Sequence, residues 1–222
     1  MHHDEIERYL REVGLRLRGK DLIGEILILG GAYMTLVLRS RGATRDVDAY
    51  FARHAEAIRQ AAAHVAQEHG LPEDWLNDAV KGFLYVQPET RLWADFPGLR
   101  IYAPDPAYIF AMKALAGRPT DLDDLATLRI ELRLTSAADA LAVVKRYVPE
   151  RLLTARVQYL VEDLFDEDDG SVPAAIGSRN SRAYRQGCRA LAGDRPVRGR
   201  LASNPSRPET VAVCRAASKP DL

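Results

Sequence analysis

Two aspartates and two glycines carry the chemistry that this sequence suggests. Asp46 and Asp48 stand one residue apart in TRDVDAYF, and Gly30 and Gly31 end the apolar run EILILGG before them. Residues i and i+2 of a strand point to the same face, so both carboxylates should project together while Val47 enters the core. Two carboxylates this close repel each other unless a cation lies between them. Mg²⁺ suits such a pair, because it takes oxygen ligands and shares them with substrate phosphates.

The glycine pair is expected where a strand meets the start of a helix. Free backbone N–H groups favour phosphate at such a point, and the missing side chain allows close approach. Thr44 should project from the same strand face as Asp46 and Asp48 and assist them. Each motif alone has an ordinary interpretation, a tight turn or a surface carboxylate pair. Their order on one strand–helix–strand frame favours a site for a nucleoside triphosphate (NTP).

Lys113 is the third candidate, because it lies inside the apolar stripe of the helix PAYIFAMKALA. A lysine there either extends its ammonium group to solvent or meets an anion. Asp121 and Asp124, at i and i+3, should share one helical face and either support Lys113 or bind the metal. Arg118 is an alternative partner for them, in an ordinary surface ion pair.

Other polar residues have two interpretations each. Arg39, Arg41 and Arg45 either steady phosphates or RNA or form a solvated loop, and we assign Arg45 to nucleotide binding. Asn77 and Asp78 should lie on the polar side of a helix, where they either bind nucleotide or acceptor or form an ordinary hydrogen-bonded helix face. Three histidines lack metal-ligand spacing, and we assign them no chemistry: His54, His64 and His69.

Hydrophobic spacing and capping residues predict the elements that position these side chains. Helices are predicted at 4–17, 32–39, 53–69, 72–83, 106–116, from 120, at 137–147 and at 149–165, and strands at 25–31, 44–51, 84–87 and 99–103. The order predicts an α/β (α+β) fold, a small mixed sheet with flanking helices followed by a helical C-terminal half. We predict a catalytic core in 1–104, a helical subdomain completing the site in 105–166, and a disordered basic tail in 167–222.

The motifs together resemble the signature of the nucleotidyltransferases of the DNA polymerase β superfamily. That signature is a hydrophobic residue, Gly, Gly or Ser, a gap, then Asp-hydrophobic-Asp or Glu; here it is Leu29-Gly30-Gly31 and Asp46-Val47-Asp48. AMKALAGRPTDLDDL is similar to the second conserved block of the AbiEii-like branch. The resemblance covers roughly residues 5–166.

This resemblance implies Mg²⁺-dependent transfer of a nucleoside monophosphate from an NTP to an acceptor hydroxyl, with Lys113 contacting the triphosphate. It also implies a toxin of a bacterial toxin–antitoxin pair, with the 3′ end of tRNA as acceptor and a cognate antitoxin as partner. Two alternatives stay open, an antitoxin that transfers AMP to a protein and a non-catalytic nucleotide-binding regulator. The second is motivated by the strand LRIYA, which lacks the third carboxylate of polymerase-type members; Asp95 in the preceding loop is a poor substitute.

Composition and charge narrow the function classes. The formal net charge is zero, but residues 171–222 hold 10 Lys/Arg against 3 Asp/Glu, so whole-chain charge gives no argument for nucleic-acid binding. The only cysteines, Cys188 and Cys214, indicate a reducing compartment without a disulfide framework. The charged N-terminal stretch and the absence of an apolar run of about 20 residues predict a cytoplasmic protein with no membrane association.

Overall fold

A computed structural model describes residues 1–79 and 85–166, in which seven α-helices accompany a five-stranded mixed sheet. The helices are α1 His3–Arg18, α2 Gly30–Leu36, α3 Ala55–His69, α4 Pro106–Ala116, α5 Leu122–Glu131, α6 Ala137–Tyr147 and α7 Ala155–Asp166. The strands are β1 Gly24–Ile28, β2 Val47–Arg53, β3 Leu76–Asn77, β4 Thr90–Phe96 and β5 Leu99–Pro104. The predicted α/β (α+β) class with a helical C-terminal half is confirmed. The predicted tail lies outside the described residues, and the division at residue 104 stays a prediction.

The sheet has the strand order β3-β2-β1-β5-β4, with β1 at its centre. β1 is antiparallel to β2 and parallel to β5, so Ile26 pairs with Phe51 on one side and Ile101 on the other. These three side chains are buried, as expected for the middle of a sheet covered by helices. α1 and α3 pack on each other and contact the sheet, and α4 packs against α5, α6 and α7.

The helix that carries Lys113 begins and ends where its sequence predicts. The side chain of Asp105 accepts a hydrogen bond of 2.7 Å from the backbone N–H of Ala107, and Pro106 occupies the first helical position. The helix ends at Gly117, whose φ of +57° is a conformation that glycine adopts without a steric penalty. Ser136 likewise caps α6 and accepts from the N–H of Asp139 at 3.1 Å.

The predicted helix 72–83 is wrong in its described part, and its last residues, 80–84, lie outside the described range. Residues 72–75 form a turn, and Leu76 and Asn77 form β3, parallel to the start of β2. The carbonyl of Trp75 accepts a 2.7 Å hydrogen bond from Val47, and its indole donates to the carbonyl of Ala62 at 3.0 Å. Trp75 and Leu76 are buried against α3 and β2 without a helix, so the helical spacing of the apolar residues was misleading.

Four further boundaries differ from the prediction. β2 begins at Val47 and not at residue 44, and residues 85–87 of the strand predicted at 84–87 are not in a strand, because β4 starts at Thr90. A short 3₁₀ helix, Pro119–Asp121, precedes α5 where a capped start at residue 120 was expected. A second one, Glu150–Leu152, precedes α7. Proline favours a helical turn at both places without committing the chain to an α-helix.

Candidate active site

A cavity of about 650 Å³ lies between the β1–α2 corner, the loop before β2 and the α4–α5 corner. Its polar wall is lined by Gly30, Gly31, Arg41, Thr44, Arg45, Asp46, Asp48, Lys113, Arg118, Thr120 and Asp121. Its apolar wall is lined by Leu29, Ala79, Tyr85, Tyr108, Ile109, Met112, Leu115, Ala116 and Leu152. The structure therefore brings eight of the nine predicted site residues to one cavity; the ninth, Asp124, lies directly behind the wall.

The antiparallel pairing of β1 with β2 sets Gly30 against Asp48. The backbone N–H of Leu29 donates to the carbonyl of Asp48 at 2.9 Å, which continues the ladder to the last residue before α2. Gly30 has φ +56°, and a Cβ there would lie 2.4 Å from Asp48 Oδ2. A side chain at residue 30 would therefore collide with the carboxylate and strain the backbone. Glycine is required here by both contact and conformation.

Gly31 likewise leaves space for the side chain of Thr44. A Cβ at Gly31 would lie 2.7 Å from Thr44 Oγ1. Thr44 is buried, and its hydroxyl donates to the carbonyl of Asp46 at 3.1 Å. Thr44 and Asp46 precede β2, so the strand-face argument does not apply to them; this hydrogen bond, not strand pleating, holds Asp46 beside Asp48. Thr44 thus shapes the loop that presents the first carboxylate.

The carboxylate of Asp48 has a raised pKa. Burial raises its pKa, and the neighbouring charge of Asp46 raises it further. Hydrogen bonding from Asn77 and the positive charges of Arg118 and Lys113 oppose that rise in pKa. Asp48 is consequently a half-buried acid with a like charge beside it, an arrangement that an added cation relieves.

Lys113 is held by two buried carboxylates. Only 6% of the residue is exposed, and its Nζ lies 2.6 Å from Asp121 Oδ1 and 2.7 Å from Asp124 Oδ2. Asp121 ends the 3₁₀ helix and Asp124 lies in the first turn of α5, so the pair fastens α5 to α4. An ammonium group has three N–H donors. One donates to Asp121 Oδ1, whereas the contact with Asp124 Oδ2 is an ion pair without hydrogen-bond geometry. Within residues 1–79 and 85–166 Lys113 has no other acceptor, and it lines the cavity.

Arg41 is the site residue that the sequence prediction undervalued. Its Nη2 lies 3.0 Å from Asp124 Oδ2 and donates to the carbonyl of Thr120 at 3.2 Å. No local signal separates Arg41 from Arg39 or Arg45, because its partners lie some 80 residues further along the chain. The predicted pair between Arg118 and the α5 aspartates does not form; Arg41 takes that place, and Arg118 is exposed at the cavity.

Charges in the cavity balance. Within the described part of the chain the lining holds the cations Arg41, Arg45, Lys113 and Arg118 and the carboxylates Asp46, Asp48 and Asp121, with Asp124 behind them. Four positive groups against four negative ones leave no surplus for a triphosphate. A polyanion therefore binds here favourably only if a further cation binds with it.

The remaining predicted polar residues lie elsewhere or act indirectly. Asp95 is in β4, not in a loop; it lies 3.8 Å from Arg100 and does not line the cavity. Asp78 pairs with Arg59 at 2.7 Å. Asn77 is the register partner of Asp48 across β3 and β2, and its side chain accepts from the N–H of Ala79 and donates to the carbonyl of Asp74.

One histidine has acidic neighbours that its sequence spacing did not suggest. His69 Nε2 lies 2.8 Å from Glu12, and Glu68 is close enough for the three ligand atoms to lie within 4.8 Å of one another. Arg16 pairs with both glutamates and already supplies a positive charge. We interpret this cluster as an ion-pair network between α1 and α3.

The donor set of the cavity fits a hard divalent cation. Asp46 and Asp48 offer carboxylate oxygens, the ligands that Mg²⁺ prefers. The raised pKa of Asp48 indicates that added positive charge is favourable beside this carboxylate. The open backbone at Gly30 leaves the carboxylate accessible from the cavity.

Comparison with known proteins adds no relative. No protein-family model matches the chain, and neither a curated protein nor a solved structure matches it. In residues 1–79 and 85–166, none of the helices has both the length and the hydrophobicity that a membrane crossing requires.

Proposed function

We propose that this protein is a Mg²⁺-dependent nucleotidyltransferase that moves a nucleoside monophosphate from an NTP to an acceptor hydroxyl. The observation that carries the proposal is the meeting of three features in one cavity: the carboxylate pair Asp46/Asp48, the glycine pair held against it, and Lys113. Nucleotidyl transfer needs all three, because a triphosphate must be bound, neutralised and oriented.

Within this proposal the polar wall positions the triphosphate. Asp46 and Asp48 would hold Mg²⁺, which when bound neutralises phosphate charge and polarises the reacting phosphoryl group. Lys113 offers an N–H to a phosphate oxygen, while Asp121 and Asp124 keep its ammonium group in place. Gly30 and Gly31 let Asp48 and Thr44 approach the start of α2 closely, and Arg45 and Arg118 add positive charge at the cavity.

The reaction forms one bond and breaks one. The acceptor oxygen bonds to the α-phosphorus, the bond from that phosphorus to the bridging oxygen breaks, and the electron pair leaves with pyrophosphate. The acceptor proton passes to solvent. The protein contributes by orientation and charge stabilisation, which are the main sources of rate in phosphoryl transfer.

The apolar wall suits the nucleoside. Ile109, Met112 and Leu115 lie on α4 beside Lys113, so a nucleoside attached to the bound triphosphate can pack against them. For the acceptor we propose the 3′ end of tRNA, with the protein acting as the toxin of a cytoplasmic toxin–antitoxin pair. This proposal rests on the AbiEii-like resemblance of the sequence.

The test is a labelling assay with purified protein, Mg²⁺, each labelled NTP and total bacterial RNA. Asp46→Asn/Asp48→Asn is the inactive control, and Asp95→Asn, which removes a carboxylate outside the cavity, is the matched active control. We expect label in the tRNA band for the wild-type protein and Asp95→Asn only. If a coexpressed protein is labelled and tRNA is not, that protein is the acceptor. NTP binding without release of pyrophosphate from the NTP, whichever acceptor is added, would overturn the enzymatic proposal.

A further inference from the structure

The guanidinium of Arg41 lies between the glycine pair and α5. Both of its polar contacts, to Asp124 Oδ2 and to the carbonyl of Thr120, are made by Nη2. The other terminal nitrogen, Nη1, faces the opposite way: a Cβ at Gly31 would lie 3.4 Å from it. Within the described residues Nη1 has no acceptor, so its donors remain for a group in the cavity.

Asp124 holds two cations side by side. Its Oδ2 is 3.0 Å from Arg41 Nη2 and 2.7 Å from Lys113 Nζ, and only 5% of its side chain is exposed. A buried carboxylate shared in this way fixes the separation of a guanidinium and an ammonium group. Both cations line the cavity, and both keep N–H donors that no acceptor in the described part of the chain takes up.

We propose that Arg41 and Lys113 form a paired-cation site for the pyrophosphate portion of the nucleotide, and that Asp124 is the positioning residue for both. The identity of the anion rests on the proposed function; the paired site rests on the contacts. Nη1 of Arg41 carries two N–H donors for phosphate oxygens, and the ammonium group of Lys113 adds a second positive charge beside it. Pyrophosphate gains charge as it leaves, so Arg41 is placed to stabilise the departing group.

Charge balance adds a condition to this site. The four lining cations are matched by three lining carboxylates and Asp124. Pyrophosphate should therefore bind more tightly with Mg²⁺ than in EDTA. A merely structural Arg41, tying the loop before β2 to α5, would affect stability and leave the affinity for pyrophosphate unchanged.

The experiment titrates inorganic pyrophosphate into the full chain by calorimetry, with Mg²⁺ and with EDTA. Arg41→Gln is the test variant, and Arg39→Gln is the matched control, since Arg39 belongs to the same loop but is exposed and off the cavity. We expect Arg41→Gln to weaken binding at least tenfold and Arg39→Gln to change it less than twofold. Wild-type affinity in Arg41→Gln, or no binding by the wild-type protein, would overturn the paired-cation site.

Two further measurements separate this inference from the proposed function. Should Arg41→Gln unfold, Arg41→Lys replaces it: affinity below that of Arg39→Gln supports the site, and equal affinity overturns it. The labelling assay is the second measurement that distinguishes the anion site from the enzymatic activity. Pyrophosphate binding that depends on Arg41, without nucleotidyl transfer, retains the anion site and rejects the enzyme. Transfer with an unchanged kcat/KM for NTP in Arg41→Gln retains the enzyme and rejects the role of Arg41.

Discussion

Gly30 lies so close to Asp48 that the site tolerates no side chain at residue 30. Alanine there would place its Cβ 2.4 Å from Asp48 Oδ2 and adopt a φ of +56°. We expect Gly30→Ala to lower the free energy of unfolding by about 1–3 kcal/mol, the cost of a strained backbone residue, and to abolish transfer. Urea unfolding and the labelling assay measure the two effects.

Gly42→Ala is the control for that substitution. Gly42 belongs to the loop before β2, yet a Cβ there meets no atom within 4 Å. Gly42→Ala should have the stability and the nucleotidyl-transfer activity of the wild-type protein. Equal behaviour of Gly30→Ala and Gly42→Ala would contradict the close approach of glycine and carboxylate.

Asp48 makes stability depend on pH. Burial, and then the charge of Asp46, raise its folded-state pKa above the ordinary value of 3.8, so the folded protein binds the proton more tightly than the unfolded chain. The free energy of unfolding therefore falls as pH rises through the interval from 3.8 to the raised pKa, and the loss is complete above it. In EDTA at pH 7, Asp48→Asn should unfold at a higher temperature than the wild-type protein.

That difference in Tm should vanish at pH values below 3.8, where both proteins are neutral at residue 48. Asp95→Asn serves as the control, because its carboxylate is exposed in β4. A Tm difference for Asp48→Asn that stays constant from pH 3 to pH 7 would show that its charge is not the cause.

At the scale of elements, the Lys113 cluster joins α4 to α5. Asp124→Asn removes the carboxylate charge that Arg41 and Lys113 share. Breaking a buried ion pair by removing one partner costs about 3–5 kcal/mol of stability. Asp121 still pairs with Lys113 in this variant. We therefore expect Asp124→Asn to lower the free energy of unfolding, measured in urea, by roughly 3 kcal/mol. Asp123→Asn, an exposed change one residue away, should have little effect. Similar losses for both variants would mean that the cluster does not fasten the helices.

At the scale of the whole molecule, a bound ligand should stabilise the fold. A ligand at 100 times its Kd adds about 2.7 kcal/mol, which is roughly 5–10 °C in Tm for a domain of this size. NTP and Mg²⁺ together should give such a shift by calorimetry, and NTP in EDTA should give much less because the cavity is charge-balanced. The variant Asp46→Asn/Asp48→Asn should show no such increase in Tm with NTP and Mg²⁺. A full increase in that variant would mean that the metal binds elsewhere.

Several features of the fold and the site were predictable because they depend on residues close in sequence. The caps at Asp105 and Ser136 and the glycine after α4 define helix ends within one turn. Gly30 and Asp48 meet because one short helix and one loop separate two adjacent antiparallel strands. The charge pattern of α4 identified Lys113, since an ammonium group inside an apolar stripe requires a partner.

Tertiary contacts decided the rest. β3 exists because Trp75 is buried against α3, a packing choice that helical spacing did not reveal. Arg41 differs from its neighbouring arginines only through Asp124, which lies on a helix distant in the chain. Residues close along the chain specified which chemical groups are present and which turns present them. Which charges share a carboxylate depends on the tertiary fold, because Coulomb and hydrogen-bond energies depend on distances in space and not on separation along the chain.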